Sequence, residues 1–273
     1  MRIPFSLPRL RRWSLLAFLV FALLAGSTQL PARVPIAAPM FAPPVDFDHL
    51  PWTDGESLTY LVSLAGLDAA QGTFVARKKD AGWEFKLALT SRGVVNKVYP
   101  FTGNFWSILA PSPWRSIEYG EYRFEPHRTI RERTRVDYTT LKATREMWGE
   151  GKTKTFSISQ DSVDDIGTML YHLRARDWKP GEKETLFVYE NNAEKQGEIE
   201  CQAVETRAFG TWPAQPLLRI SALPGKGTRR KGHLTVWMTH DARRLPVHAE
   251  LDFIYGSFSI DLIKAEKTLP AGH

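Results

Sequence analysis

Several sets of side chains in this sequence have types and spacings from which chemistry could be built. His240 and Asp241 are adjacent acid–base residues. Neighbours in a strand point to opposite sides, and His240 to Leu245 lies where a hairpin must turn, so turn formation by Asp241 is the better reading. Asp165 and His172 share the outer face of a predicted helix but sit seven residues apart, about 10 Å along its axis. That is too far for one to orient the other, and both are expected to be solvated. His233, His248 and Asp252 carry zinc-type ligand atoms. The expected strand register faces His233 with Asp252 and leaves His248 out of reach, which predicts a cross-strand charge pair and no metal site. The single cysteine, Cys201, excludes an intrachain disulfide and any multi-cysteine metal centre. In its strand-like run it is expected to be small and buried. No catalytic residue and no cofactor is assigned.

Two further sets suit binding. Arg131, Arg133 and Arg135 alternate with Glu132 and Thr134 and so project from one strand face, while Lys226, Arg229, Arg230 and Lys231 crowd the loop 225–232. Such clusters attract anionic groups; the simpler expectation is a solvated face paired with neighbouring acids. Trp106, Trp114, Trp148 and Trp212 flank turn-type Gly or Pro residues and are candidates to line the rim of a barrel or cleft.

The elements that must position these residues are mostly strands. Trp83, Phe85, Leu87 and Leu89 alternate with Glu84, Lys86, Ala88 and Thr90, and Leu58, Tyr60, Val62 and Leu64 alternate in the same way. Further strands are predicted at 72–79, 104–110, 115–124, 128–138, 141–148, 153–159, 184–190, 198–205, 216–221, 233–239, 246–254 and 257–264. At the C-terminal end, a hairpin with Thr239 opposite Pro246 pairs Leu234 with Leu251, Val236 with Ala249 and Met238 with Val247. It also sets His233 against Asp252 and Trp237 against His248. A two-residue turn at Tyr255-Gly256 then pairs Phe253 with Phe258, Leu251 with Ile260 and Ala249 with Leu262. That register puts Glu250 against Asp261, a mild like-charge conflict. One amphipathic helix is predicted near 162–176: Ser162 to Asp165 resembles a capping box, and Val163, Ile166, Met169, Leu170 and Leu173 recur at helical spacing. It should lie on the sheet with Asp164, Asp165 and His172 outward. The fold class is therefore all-β and mainly antiparallel, a strongly curved sheet forming a barrel or half-barrel with one helix.

With 43% hydrophobic and 24% charged residues, the 273-residue chain is too apolar for disorder and too polar for a multispanning membrane protein. Its net charge of +6 falls to +2 once the four arginines of residues 1–27 are set aside, which argues against a nucleic-acid partner. Residues 1–27 join a basic start to the apolar run Trp13 to Ala25 and small residues at Ala25-Gly26-Ser27, the layout of a secretory signal. The run covers about 20 Å as a helix, short of a membrane core of ~30 Å, so cleavage is the better reading and a retained anchor the alternative. Residues 28–51, with six prolines between Pro31 and Pro51, read as an extended linker, and 52–268 as a single β-rich domain.

The segments Gly55 to Phe74, Val98 to Phe101, Asp165 to Arg174, Lys179 to Glu182, Gly210 to Ala214 and Val236 to Val247, followed by Gly256 to Phe258, resemble the domain of unknown function 3108 family over roughly residues 50–265. The resemblance implies a bacterial exported protein and transfers no catalytic residue. The cysteine that tethers lipoprotein members is absent after the apolar run. The expected role is a periplasmic or envelope module that binds an apolar or amphiphilic molecule, such as a lipid, or an envelope partner, with membrane contact only through the N-terminal segment. The alternatives are an envelope hydrolase with carboxylates drawn from distant strands, and a structural or assembly factor.

Overall fold

The structure, a computed structural model, describes residues 45–80, 82–110, 113–160, 163–190, 193–224, 233–253 and 256–271. The predicted signal, most of the Pro-rich stretch and loop 225–232, with Arg229, Arg230 and Lys231, lie outside the described residues. Among those described, the period-two pattern becomes β1 (Ser57–Leu64), β2 (Leu67–Lys79), β3 (Gly82–Ser91), β4 (Thr102–Ala110), β5 (Arg115–Glu125), β6 (Arg128–Asp137), β7 (Lys142–Met147), β8 (Lys152–Ser157), β9 (Lys183–Glu190), β10 (Ala193–Phe209), β11 (Trp212–Pro224), β12 (His233–Thr239), β13 (Pro246–Phe253) and β14 (Gly256–Glu266). Two helices interrupt them, α1 (Gly93–Val98) between β3 and β4 and α2 (Ile166–Ala175) between β8 and β9. All fourteen strands form one antiparallel sheet in the order β8-β7-β6-β5-β4-β3-β2-β1-β14-β13-β12-β11-β10-β9.

The sheet does not close by hydrogen bonding: β8 and β9 are its two edges. It curls until Phe187 and Tyr189 of β9 meet Tyr119, Val136, Ala143 and Phe156 of β5 to β8. The segment leading into α2 stitches the gap, because Ser116 N donates to Val163 O, Asp164 N to Phe187 O and Tyr189 N to Asp164 O, at 2.8–3.2 Å. The result is a half-barrel sealed by side chains and one extended segment.

Helix α2 lies within the concavity. Tyr171 stacks on Phe85 of β3 at 3.7 Å and meets Trp52 edge-on at 4.9 Å. Leu173 joins Trp178, Leu186, Ile199, Cys201, Ile220 and Val236. Cys201 is buried, and burial pushes its thiol up to about 11. The cap is Asp165, three residues later than Ser162, with Asp165 Oδ1 accepting from Gly167 N and Thr168 N and Thr168 Oγ1 accepting from Asp165 N. Because both sides of this helix meet protein, Asp164 and Asp165 are buried and His172 is largely covered. The expectation that all three face solvent is corrected: it assumed that a helix on a sheet has one wet face. Helix α1 was not anticipated, since six residues are too few for a helical period to register.

The C-terminal register holds at Leu234–Leu251, Val236–Ala249, His233–Asp252 and Trp237–His248. A bulge after Trp237 then pairs Met238 with Pro246 and not Val247. The next hairpin is slipped by two residues, pairing Leu251 with Phe258 and Ala249 with Ile260. A shift of two keeps every side chain on its face, and it relieves the expected conflict, since Glu250 opposes Ser259 while Asp261 opposes His248. Residues 45–51, expected as linker, extend the domain: Val45, Phe47 and Leu50 lie against the cluster of Trp52, Trp83 and Trp114.

One buried ion pair ties the N-terminal segment, α2 and the β12–β13 turn together. The Arg174 guanidinium, fully excluded from solvent, donates from Nη1 to Glu56 Oε1 at 2.5 Å and from Nη2 to Glu56 Oε2 at 3.0 Å. It also reaches the carbonyls of Pro51 at 2.9 Å, Arg243 at 3.0 Å and Arg244 at 3.1 Å. In return Arg244 Nη1 donates to the carbonyls of Arg174 and Ala175, capping the negative end of α2. Replacing Arg174 by Met leaves Glu56 buried without a counter-charge and is expected to cost about 3–5 kcal/mol in denaturant unfolding. The double variant Arg174→Met/Glu56→Leu should recover much of that loss; an unchanged midpoint in the single variant would refute this account.

Candidate functional site

Cross-strand register determines what the concave wall presents. One row runs from Leu58 through Phe74, Leu87 and Phe105 to Glu121, Glu132 and Met147, on β1 to β7. The row is apolar as far as Phe105 and then becomes charged. Beside it, Arg123 follows Gly103 and Arg145 follows Thr134 on the same face. The side chains of Glu121, Arg123, Glu125, Glu132 and Arg145 retain only 6–17% exposure. They are arranged as alternating charges: Arg123 contacts Glu121 at 3.1 Å and Glu125 at 2.9 Å, and Arg145 donates to Glu132. Tyr99, which follows α1, donates to Glu125 at 3.0 Å. Burial pushes Glu121 up to about 7 against the pull of Arg123, and Glu132 opposite adds to the rise.

A second polar cluster surrounds the start of α2. Asp165 Oδ1 accepts from Ser107 Oγ and Oδ2 from Ser116 Oγ, both at 2.5 Å, in addition to the helix N–H groups. Burial nevertheless raises it to about 6. Asp164 accepts from Trp114 Nε1 at 2.8 Å and holds His172 Nδ1 at 2.7 Å, while His172 Nε2 faces Glu184 at 3.3 Å and Glu184 takes Arg176. Burial alone would lower His172, but Asp164 and then Glu184 outweigh it and raise the imidazole to about 10. Lying between two carboxylates, the imidazole is favoured in its charged form, which suits it to an ion-pair role. Both serines of this cluster bond to Asp165 and the histidine bonds to Asp164, so serine and histidine belong to two separate hydrogen-bonded sets.

The residues singled out from the sequence are dispersed. Arg131, Arg133 and Arg135 share the outer face of β6, and Arg133 meets Glu146 at 2.7 Å while Arg135 meets Glu118 at 3.0 Å. Arg131 donates to the Tyr122 hydroxyl at 2.8 Å and covers its ring. Trp148 lies under Arg133, and Trp106 donates to Glu118 and lies across Gly120, where a Cβ would come within 2.3 Å of its ring. These two tryptophans belong to the outer arginine face. Trp114 is buried beside Phe47, and Trp212 donates to the Leu262 carbonyl under the β10–β11 hairpin. The four therefore do not line one cleft.

His248 is turned to Asp261 at 2.7 Å and Glu250 at 3.4 Å and stacks on Phe209, away from the His233–Asp252 pair. Asp241 forms the expected turn, accepting from Thr239 Oγ1, Arg243 N and the Arg243 guanidinium. The inner charged row escaped sequence reasoning because β5 carries charges and rings at both parities, Glu118, Tyr122 and Phe124 against Tyr119, Glu121 and Arg123. Only pairing with Phe105 shows which set faces inward.

The three raised groups fix a pH dependence. Glu121 and Asp165 keep their protons in the folded chain above the ordinary carboxylate range, so the stability they confer is complete below about pH 4 and is lost as pH climbs through about 6 and 7. His172, raised above the ordinary imidazole value of 6.5, contributes stability that is lost as pH rises through about 10. All three act in one direction, and unfolding free energy should be lower at pH 8 than at pH 5, with a limiting slope of about 1.4 kcal/mol per pH unit for each proton. Glu121→Gln should flatten the part of the slope between pH 5 and 7, as read by urea titrations at each pH; an unaltered slope would refute the assignment to Glu121.

One solved structure similar to this chain agrees with the half-barrel. A crystallised β-barrel-like protein of domain of unknown function DUF1849 from Brucella abortus superposes with a TM-score of 0.53 at 9% identity, covering 78% of this chain and 97% of that one. A DUF1089 family protein from Pseudomonas aeruginosa superposes with a TM-score of 0.39 at 9% identity, covering 68% and 89%. At such identity the first likeness establishes the fold alone. No curated protein matches the chain. The family described as "Protein of unknown function (DUF3108)" matches residues 59–263, well over half of the sequence, and the protein belongs to that family.

Proposed function

We propose that the protein is a non-catalytic binding module of the cell envelope, and that its ligand is an amphiphile with a zwitterionic head. The observation that carries this reading is the change along the concave row from Phe74, Leu87 and Phe105 to Glu121 and Glu132 flanked by Arg123 and Arg145. Part of the concavity is taken up by α2, so a purely apolar ligand has little claim on that part. Charges held near a protein interior cost free energy, and a site for a charged molecule gives a reason to keep them. An ammonium would sit against Glu121 and Glu132, and a phosphate against Arg123 and Arg145, with an alkyl chain along the apolar part of the row.

Glu121 ionises near neutrality, so an ammonium should bind more tightly at pH 8 than at pH 6 and displace a proton as it binds. Titration of the full chain with a lysophosphatidylethanolamine, followed by calorimetry in two buffers of different ionisation heat, tests both points. Glu121→Gln should weaken binding roughly tenfold or more and abolish the proton release. Absence of binding at either pH refutes the reading. Glu121 and Glu132 directly opposite one another also give the hydrolase alternative its best carboxylate pair. Their engagement by Arg123 and Arg145 favours binding, and turnover of an envelope glycan that vanished in Glu121→Gln would reverse that preference.

A further inference from the structure

We infer that one end of the half-barrel is a contact surface for anionic phospholipid, distinct from the inner charged row. The antiparallel order brings the β1–β2, β5–β6 and β7–β8 turns and the α1 connection to the same end, because Leu64–Leu67, Ser91–Thr102, Glu125–Arg128 and Met147–Lys152 all flank reversals there. Exposed large apolar side chains gather on this end: Leu67 at 59%, Val94 at 56%, Val98 at 78%, Phe124 at 45% and Trp148 at 51%. Val94 and Val98 are four residues apart and share one side of α1, whereas Val95 and Tyr99 turn inward onto the Phe101 and Leu89 cluster. The lip is held firmly in that pose. Arg92 N donates to Ala69 O, Asn96 N to Arg92 O, and Tyr99 N to Val95 O at 2.7–3.0 Å, and Ser91 Oγ donates to Asn96 at 2.7 Å.

Arg92, Lys97, Arg128, Arg131 and Lys152 stand exposed among these side chains, against Asp68, Glu150 and, on the adjoining β13–β14 hairpin, Asp252, and Glu150 is paired with Lys152. Apolar tips spaced along an arc at about 5 Å per strand, interleaved with cations, suit a flat anionic surface better than a single protein groove. Trp148 brings the ring type favoured at a membrane interface. The chain leading in from residue 45 joins the opposite end, where Gly55 N bonds to Ala76 O and Asp54 receives Lys78 N.

A nitrobenzoxadiazole dye on Val98→Cys of the full chain reads this surface, since Cys201 is buried with a raised thiol and should stay unlabelled. Leu141→Cys at the opposite end serves as the control. On phosphatidylglycerol vesicles the Val98 dye should shift to the blue and become protected from iodide, while the Leu141 dye does not. Lys97→Glu/Arg92→Glu or Val94→Asp should raise the lipid concentration needed by about tenfold or more. Equal responses at both dyes, no response at Val98, or the same response on phosphatidylcholine would overturn the inference. Protection at Val98 before lipid is added would also overturn it, marking a second copy if it grows with protein concentration and the chain's own N-terminal segment if it does not.

Discussion

A guanidinium withdrawn from water must have its charge and its N–H groups answered by protein, and the Arg174 pocket shows how much of the molecule is arranged to do so. Its carboxylate comes from Glu56, 118 residues earlier, and its carbonyls from Pro51, Arg243 and Arg244. The requirement fixes where the chain enters the domain, where α2 ends and how the β12–β13 turn sits. Trp52 and Tyr171 complete the enclosure with their rings, 5.6 and 5.2 Å from the guanidinium carbon. Pairing of this kind is less a source of net stability than a specification of one arrangement, because alternatives would strand a buried charge.

With α2 locked at that end, its other end becomes the joint that closes the sheet. Asp165 caps the helix and draws Ser107 of β4 and Ser116 of β5 to itself, while the backbone of Asp164 pairs with β9. An open sheet of fourteen strands would otherwise leave two long edges and an unfilled interior. Helix, capping carboxylates and the Tyr119–Tyr189 contact do the work that a hydrogen-bonded seam does in a closed barrel.

Charges are thus partitioned by position. Near α2 they are neutralised in pairs and serve architecture: Arg174 with Glu56, and His172 with Asp164 and Glu184. On β5 to β7 the inward charges are paired as well, Arg123 with Glu121 and Glu125 and Arg145 with Glu132, but along the concave wall and not around the helix. The outer arginine ladder is different again, since Glu118 and Glu146 hold Arg133 and Arg135, Arg131 lies on Tyr122, and of the two tryptophans on this face Trp148 is the more exposed.

Read alone, the sequence determined the period-two strands, the antiparallel class, one helix near 162–176, the turn role of Asp241, burial of Cys201 and the pairs Leu234–Leu251 and Val236–Ala249. These follow from properties local to the backbone: alternation of side chains, hairpin connection and capping. Tertiary structure alone decided that Asp164 and His172 face inward, that a bulge follows Trp237, that β13 and β14 slip by two, and that Glu121 and Glu132 line the concave wall. A slip of two preserves facing, so hydrophobic pattern cannot detect it. A strand with charges at both parities, such as β5, takes its inward face only from its neighbours. Arg174 and Glu56 are each ordinary polar residues in sequence, and only the curl of the sheet brings them together.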